Sequence, residues 1–257
     1  MGKTEAVIFD WAGTTVDYGC FAPVNAFAEA FAEFDIQPTM DEIRKPMGML
    51  KIDHIKAMLH MERIARLWCE RYGKTASEKD VQAIYSVFEE RLLSSLETFA
   101  NPKEKVLETV GALRQKGIQI GSTTGYTKAM MEIVMPAAKR QGYAPDACVT
   151  PEDVGGVGRP YPYMIFETMR KLSVSSVQNV VKVGDTVSDI QEGVNAGVCS
   201  VGIVDGSSEM GLTEAEFAAL NAGEKHAVRE TVRQRFLDAG ADYVIDDISG
   251  ILELVEK

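Results

Sequence analysis

Acidic, hydroxyl and basic side chains follow four short apolar runs of this sequence. The run AVIF ends in Asp10, and IQIG leads into STTGYT, which contains Thr124. The run ACV precedes GVGRPYP with Arg159, and VVKV is followed by GDTVSD with Asp185 and Asp189. If the apolar runs are parallel strands of one sheet, all five side chains come to its carboxyl edge, where such sheets bind ligands.

These side chains suit phosphoryl transfer. A carboxylate such as Asp10 can attack phosphorus and form an aspartyl phosphate, which splits one difficult step into two easier ones. Magnesium prefers carboxylate oxygens, so Asp10 and Asp185 are candidate ligands, and Asp189, one helical turn further on, can orient the waters of the ion. The Thr124 hydroxyl can bond a phosphoryl oxygen that the planar fork of Arg159 neutralises. Alone, each residue has an ordinary explanation as a turn former, cap or surface charge; together, in this order, they are specific.

The elements that must hold these residues alternate along the chain. Continuous apolar runs rich in Val and Ile are typical of strands covered on both faces, and the periodic stretches between them indicate helices. Asn101-Pro102 predicts the start of one helix, and Lys116-Gly117 its end. We therefore predict an α/β fold with a doubly wound parallel sheet. Its strands span residues 6–9, 118–122, 147–149, 180–183, 200–203 and 243–245.

One long stretch breaks this alternation. Residues 21–99 contain helical patterns and no convincing strand, which predicts a helical insert between the first two strands, acting as a cap over the site. Thr39 with Glu42, and Ser77 with Asp80, fit capping boxes. The predicted helices of the insert span residues 24–34, 41–45, 50–60, 62–72 and 79–96.

Composition narrows the function further. The chain has 257 residues and is 46% hydrophobic, which is enough apolar material for one large domain or for a core with a smaller second domain. Its formal net charge is −11. The negative charge argues against a broad nucleic-acid or anionic-membrane surface. No run is long enough to span a membrane, no signal-peptide pattern is present, and the four cysteines form no C-x-x-C pair. We expect a reduced, cytoplasmic setting.

The succession FDWAGT, STTG, GRPYP and GDTVSD resembles the haloacid dehalogenase superfamily of aspartyl-phosphate enzymes, and the similarity spans nearly the whole chain. The resemblance implies a Rossmann-like core of residues 1–20 and 100–257, a helical cap of residues 21–99, Mg²⁺ as cofactor and a homodimer. The stretches FDWAGTTVDYGCFAP and RKPMGMLKIDHI are similar to those of members that cleave phosphonates. This closer resemblance implies hydrolysis of phosphonoacetaldehyde to acetaldehyde and phosphate, in 2-aminoethylphosphonate degradation.

The same resemblance assigns roles within and beside the insert. Lys51 matches a lysine that forms a Schiff base with the aldehyde, and Met47 and His54 match residues that handle protons around it. Ala12 stands where ester-cleaving relatives carry a second acid, and its backbone carbonyl is implied as a metal ligand. By residue type alone, Lys51 would be a solvated surface lysine.

A Schiff-base lysine explains why the second acid is missing. Direct cleavage of a phosphorus–carbon bond would expel a carbanion, whereas a protonated imine on Lys51 accepts the electrons and makes the leaving group an enamine. No alkoxide needs a proton, so Ala12 fits a phosphonate substrate. The amine must be neutral to attack, and burial lowers the pKa of a lysine. Hinges are expected at residues 19–21 and 99–101, where Cys20 is either a site residue or simple packing.

Two other functions compete with this prediction. A magnesium-dependent phosphate-ester phosphatase or phosphomutase of the same superfamily would share the residues at the strand ends. Ala12 together with Lys51 argues against it. A non-catalytic protein that binds a phosphorylated ligand would show magnesium-dependent binding without turnover, and the full set of acids argues against that.

Overall fold

Six parallel strands form one sheet in the computed structural model, which describes residues 3–256. The strands lie in the order β3-β2-β1-β4-β5-β6, and each neighbouring pair is parallel. Their bounds are β1 Ala6–Phe9, β2 Gln119–Thr123, β3 Ala147–Val149, β4 Val180–Gly184, β5 Cys199–Ile203 and β6 Tyr243–Ile245.

The helical insert between β1 and β2 contains five α-helices, followed by a 3-10 turn at Leu96–Phe99. Its core is aromatic: the ring of Phe27 lies between those of Phe88 and His54, with centroid separations of 4.1 and 3.9 Å. The stack joins the first, third and fifth helices into one packed unit. The bounds are α1 Phe21–Ala32, α2 Met40–Arg44, α3 Lys51–Leu59, α4 Glu62–Tyr72 and α5 Glu78–Ser95.

The remaining helices cover both faces of the sheet. Side chains alternate along β1, so Val7 and Phe9 pack into the larger core, while Ala6 and Ile8 pack with Ile165 into a second core on the other face. This explains why the strand is apolar throughout. The bounds are α6 Val106–Gln115, α7 Lys128–Arg140, α8 Tyr163–Leu172, α9 Val187–Ala196, α10 Glu214–Ala219, α11 Ala222–Asp238 and α12 Ile251–Leu254.

The strand order reverses direction at β1. Chain connections run from β1 to β2 and β3 on one side, and to β4, β5 and β6 on the other. The loops after β1 and β4 therefore diverge and leave a crevice at their carboxyl ends, where open α/β sheets bind ligands. Asp10 and Asp185 directly follow these two strands.

The predicted fold class is confirmed. Three strands and one helix have the predicted bounds, β4 and β5 differ by one residue at one end and β2 by one residue at both ends, and both capping boxes of the insert are present. Residues 1, 2 and 257, which belong to the predicted core, lie outside the described residues. Between residues 3 and 256 no helix is both long enough and apolar enough to cross a membrane.

Two predicted helix starts differ from the structure by more than one residue, and those of α2, α3 and α5 differ by one. α6 begins at Val106, not at Pro102, because Pro102 forms an antiparallel bridge with Val16 and so continues the return linker in an extended form. α1 begins at Phe21 rather than residue 24, because the Asp17 carboxylate accepts hydrogen bonds from its first amides. In both cases a contact made in the folded chain overrides the local signal.

Candidate active site

The loop after β1 brings the backbone unusually close to Asp185. Gly13 has a φ of +86°, and a Cβ atom there would lie 2.0 Å from Asp185 Oδ2, so only glycine fits. Thr14 Oγ1 donates a hydrogen bond to Asp185 Oδ1 at 3.2 Å, and the Ser208 amide donates to Oδ2 at 2.8 Å. The carboxylate of Asp185 is thereby fixed from both sides.

Asp10, Asp185 and Asp189 form a buried cluster in which one carboxylate oxygen of each lies within 4.8 Å of the others. Burial raises the pKa of Asp10. Burial, together with repulsion from Asp10 and Asp189, raises the pKa of Asp185 well above its usual range. A divalent cation relieves such repulsion, and carboxylate oxygens are hard ligands suited to one. The cluster is therefore suited to binding a metal ion.

Arg159 lies inside this cluster rather than on the surface. Its Nη2 is 2.7 Å from Asp10 Oδ1 and 3.0 Å from Asp189 Oδ1, and its Nε donates to Glu192 Oε2 at 2.9 Å. Although burial opposes the charge, these three acids raise the pKa of Arg159 well above its usual range. Among the described residues, no protein donor is bonded to Asp10 Oδ2, so one oxygen of that carboxylate stays free.

A second buried cation, Lys182, lies in the middle of β4. Its Nζ is 2.9 Å from Asp189 Oδ1 and 3.4 Å from Glu192 Oε2. Burial alone would raise the pKa of Asp189, but Arg159 and Lys182 hold that pKa below its usual value. The other oxygen of Asp189 accepts from Thr186 Oγ1 at 2.6 Å. Asp189 is thus held in its ionised form by protein groups around both oxygens.

Thr124 follows β2 directly and is buried at the same edge of the sheet. Its Oγ1 accepts a hydrogen bond from the Tyr126 amide at 3.0 Å. A hydroxyl that accepts in this way keeps its own proton to donate. Thr124 is therefore poised as a donor toward the space above the strand ends.

A glycine lets the insert approach the core closely. Gly48 has a φ of +86°, and a Cβ atom there would lie 2.3 Å from Thr186 Oγ1, at the start of α9. This contact places Met47 and Lys51, which is the first residue of α3, over the strand ends, and each retains only 3% exposure.

Lys51 is buried without an ionic partner among the described residues. Its Nζ lies 5.2 Å from the ring centroid of Tyr126 and 6.0 Å from that of Phe27. Burial lowers the pKa of Lys51, and the nearest acidic groups, Cys20 and Asp10, only partly oppose this effect. A larger fraction of this amine is therefore neutral than on an exposed lysine.

His54 lies one turn along α3 from Lys51 and is fully buried. Its Nε2 is 2.8 Å from the Ile43 carbonyl oxygen, which can only accept, so we assign the ring hydrogen to Nε2. Burial and the nearby Lys51 lower the pKa of His54 well below its usual range. Its Nδ1 is buried with no hydrogen-bond partner in the described residues, which leaves an unprotonated acceptor.

One small cavity collects most of the predicted site residues. It has about 20 Å³ of free space, room for roughly one water molecule. As it stands, the cavity is too small to hold a substrate. His54, Asp185 and Asp189 are not among the described residues that line it. The predicted residues that do are Asp10, Ala12, Cys20, Met47, Lys51, Thr124 and Arg159.

Sequence reasoning missed three buried residues here. Lys182 interrupts an otherwise apolar strand, VVKVG, and Glu192 follows Asp189 at helical spacing, so both carried a detectable signal. A buried charge in a central strand requires a partner, and an acid on the inward face of the next helix is the nearest candidate. Tyr126, beside Thr124 in STTGYT, carried no signal that distinguishes it from packing.

Comparison with known proteins gives consistent matches. Residues 4–197 match the family model described as haloacid dehalogenase-like hydrolase. The phosphonoacetaldehyde hydrolase of Lysinibacillus sphaericus (strain C3-41) is 51% identical over 253 residues, which are 98% of this chain and 94% of that protein. The bifunctional phosphonoacetaldehyde hydrolase/aminoethylphosphonate transaminase of Clostridioides difficile (strain 630) is 49% identical over 255 residues, 99% of this chain but only 40% of that longer protein.

A solved structure matches over nearly the whole length of this chain. The crystal structure of a phosphonoacetaldehyde hydrolase like protein from Oleispira antarctica is 37% identical and has a TM-score of 0.96, covering 99% of this chain and 92% of that one. The sheet, the buried acids and these matches define a haloacid dehalogenase-like hydrolase. Within that class, the chain belongs to the phosphonoacetaldehyde hydrolase family.

Proposed function

We propose that this chain hydrolyses the phosphorus–carbon bond of phosphonoacetaldehyde and releases acetaldehyde and phosphate. The observation that carries the proposal is that Asp10 of the core and Lys51 of the insert line one small cavity. A phosphate ester needs no amine, whereas an aldehyde next to a phosphorus–carbon bond does. The names of the relatives support the same substrate.

Lys51 begins the reaction. Its neutral Nζ attacks the aldehyde carbon, the adduct takes up one proton from solvent, and loss of water leaves an imine that is protonated on nitrogen. The lowered pKa of Lys51 supports this step because only the unprotonated amine is a nucleophile. The faces of Tyr126 and Phe27 then lie beside the cationic imine and stabilise it.

Asp10 takes the phosphoryl group. Its Oδ2 attacks phosphorus while the phosphorus–carbon bond breaks, and the electron pair of that bond moves into the imine to form an enamine. Arg159 Nη2 lies 2.7 Å from Oδ1 and so orients the carboxylate. The Thr124 hydroxyl donates a hydrogen bond to a phosphoryl oxygen. Water then hydrolyses the aspartyl phosphate, the enamine carbon takes a proton, and hydrolysis of the imine restores Lys51.

Magnesium is the ion that we propose for the carboxylate cluster, held by Asp10, Asp185 and the backbone carbonyl of Ala12. The raised pKa of Asp185 supports the fit because buried, mutually repelling carboxylates favour a divalent cation. When bound, magnesium reduces the repulsion between the anionic substrate and an attacking carboxylate. Asp189 is proposed to orient waters of the ion. Calorimetric titration with magnesium chloride should give binding to the wild type and none to Asp185→Asn.

Met47 and His54 are proposed to serve proton transfers at Lys51. The free Nδ1 of His54 supports this role because an unprotonated imidazole nitrogen can accept a proton directly or through water. The weakly accepting thioether of Met47 lines the same cavity. Replacing His54 with Asn should slow imine formation more than it weakens substrate binding, which stopped-flow measurements separate.

The helical insert, residues 21–99, is proposed to be a mobile cap on a core of residues 1–20 and 100–257. The small cavity supports this division, because closure brings the amine to the nucleophile and excludes water, while opening admits the substrate. The family resemblance supports a homodimer. Light scattering on the purified chain measures its mass, and a monomeric mass would contradict the dimer.

The decisive experiment traps the imine. Borohydride is added to the enzyme with acetaldehyde, and the modified peptide is located by mass spectrometry. A reduced adduct on Lys51 supports the mechanism, and full turnover with no adduct on that residue would contradict the mechanism. In parallel, phosphate release is compared between phosphonoacetaldehyde and sugar phosphates. Preference for the esters would favour the phosphatase or phosphomutase alternative.

A further inference from the structure

Arg44, the last residue of α2, connects the helical insert with two loops of the core. Its Nη1 donates to the Gly19 carbonyl at 2.8 Å and to the Ser208 carbonyl at 3.1 Å. The guanidinium lies 4.9 Å from the ring centroid of Phe21. The side chain borders an open cleft of about 640 Å³ between α2 and the loop after β5. Arg44 thus reaches across the boundary at which the insert would separate from the core.

Ser208 links this arginine to the carboxylate cluster. Its carbonyl accepts from Arg44, and its amide donates to Asp185 Oδ2 at 2.8 Å. Only 1% of Ser208 is exposed. Because the carbonyl and the amide belong to one buried residue, a force on one is transmitted to the other. A continuous chain of contacts therefore runs from the insert, through Ser208, to Asp185.

We infer that Arg44 is a latch that couples closure of the insert to the ordering of Asp185. With the insert closed, Arg44 holds Ser208 and Ser208 holds Asp185; with the insert open, the loop after β5 loses that restraint. Arg44 is a positioning residue, since it acts on the site through Ser208. The inference rests on the proposed function in taking Asp185 as a ligand of the cation.

Coupling of this kind acts in both directions. If closure orders Asp185 for a cation, then the cation must favour closure by the same factor. The contacts of Arg44 with the core can also break, because Arg44 Nη2 is buried with no acceptor among the described residues. A guanidinium that is only partly satisfied separates more readily than one paired at every nitrogen. Magnesium should therefore shift the insert toward the closed state without locking it there.

The test compares Arg44→Ala with a matched control, Arg63→Ala. Arg63 is another arginine of the insert, but its described partners, Glu42 and the Gln37 carbonyl, also belong to the insert. Hydrogen exchange is followed by mass spectrometry with and without magnesium chloride as the only added ligand. Two segments report the coupling: residues 40–50 in the insert and residues 205–211 in the core loop.

We expect magnesium to slow exchange of both segments in the wild type and in Arg63→Ala, by about fivefold or more in residues 40–50. In Arg44→Ala, magnesium should still slow hydrogen exchange in residues 205–211, but it should no longer slow exchange in residues 40–50. The dissociation constant of magnesium should rise by a factor similar to the protection that residues 40–50 have lost. Equal protection of residues 40–50 in Arg44→Ala and the wild type would overturn the latch, as would no protection in the wild type.

Arg44→Lys keeps the charge and much of the length, and it guards against misfolding of the alanine variant. A single ammonium cannot reproduce the guanidinium geometry, so the magnesium effect on residues 40–50 should fall between those of the wild type and Arg44→Ala. Wild-type turnover of phosphonoacetaldehyde is measured on the same samples. Loss of coupling in Arg44→Ala without wild-type turnover would sustain the latch and reject the proposed function.

Discussion

The core and the helical insert both bury titratable groups near one cavity, but only the core pairs its buried cations with acids. In the core, Arg159 and Lys182 lie 2.7 to 3.4 Å from three buried acids. In the insert, Lys51 is equally buried, but it lies beside aromatic rings and has no acid paired with it among the described residues.

Because of this difference, an ionised carboxylate in the core and a neutral amine in the insert can exist at the same pH. Pairing offsets part of the cost of burying charge: Arg159 and Lys182 hold the pKa of Asp189 below its usual value, and both cations oppose the rise that burial causes in the pKa of Asp10 and so favour its anionic, nucleophilic form. Isolation leaves that cost uncompensated, so the Lys51 amine tends to lose its proton. In the proposed reaction, closure of the insert would bring an anion and a neutral amine to the same substrate. Four experiments test this contrast between paired charges in the core and the unpaired lysine of the insert, in order from the largest expected effect to the smallest.

Replacing Lys51 with Arg should abolish turnover of phosphonoacetaldehyde. Arginine keeps a positive charge in the insert but stays protonated, so it cannot form the imine. Phosphate release is the measurement. Lys56→Arg is the control, because Lys56 is on the same helix, half-exposed and paired with Glu78. Measurable turnover by Lys51→Arg would mean that the amine is not the reacting group.

Replacing Lys182 with Met should lower the free energy of unfolding by about 3–5 kcal/mol, because Asp189 and Glu192 lose a buried counter-charge. Urea denaturation at pH 7 measures the loss. Lys116→Met is the control: it removes an exposed pair with Glu256, for which a much smaller loss is expected because solvent screens the two charges. Equal losses in the two variants would show that pairing in the core matters no more than on the surface.

The pH dependence of kcat/KM tests the isolation of Lys51. Because burial lowers the pKa of Lys51, the neutral amine is present above that lowered value, and the rate should rise with pH and level off below the usual lysine range near ~10.4. For the same reason the unfolded chain binds this proton more tightly, so this residue makes the protein more stable as pH rises between the two pKa values. A rate that keeps rising to about pH 10.4 would contradict the isolated lysine.

Asp17 tests the connection between the two regions. Its carboxylate accepts from the amides of Phe21 and Ala22 at 2.9 and 3.0 Å, which anchors α1 to the core linker. Asp17→Ala should cost about 1 kcal/mol of unfolding free energy at pH 5, measured by urea denaturation.

Burial raises the pKa of Asp17 to about 7. The folded chain therefore binds this proton more tightly than the unfolded chain, and the wild type loses stability through this group as pH rises from about 4 to about 7. The deficit of Asp17→Ala should accordingly shrink toward pH 8. A deficit that grows with pH would contradict a raised pKa.

Much of the fold was predictable because its signals are local. Val- and Ile-rich runs predicted the six strands to within one residue at each end, since a strand covered on both faces must be apolar throughout. Thr39 and Ser77 marked helix starts correctly because each capping box is completed within four residues. The signal at Asn101-Pro102 failed because Pro102 pairs with Val16, a partner remote in sequence.

The sequence by itself determined the residue types, their order and the elements that carry them, including Asp10, Asp185 and Lys51. The elements follow from periodicity and spacing, which act over a few residues, whereas the role of Lys51 was implied only by the family resemblance. Tertiary structure alone decided which charges are paired: that Arg159 and Lys182 lie among three acids, that Lys51 has no acid paired with it within residues 3–256, and that Arg44 reaches Ser208. Charge pairing and burial depend on distances between segments far apart in the chain, and those distances exist only once the insert has packed onto the core.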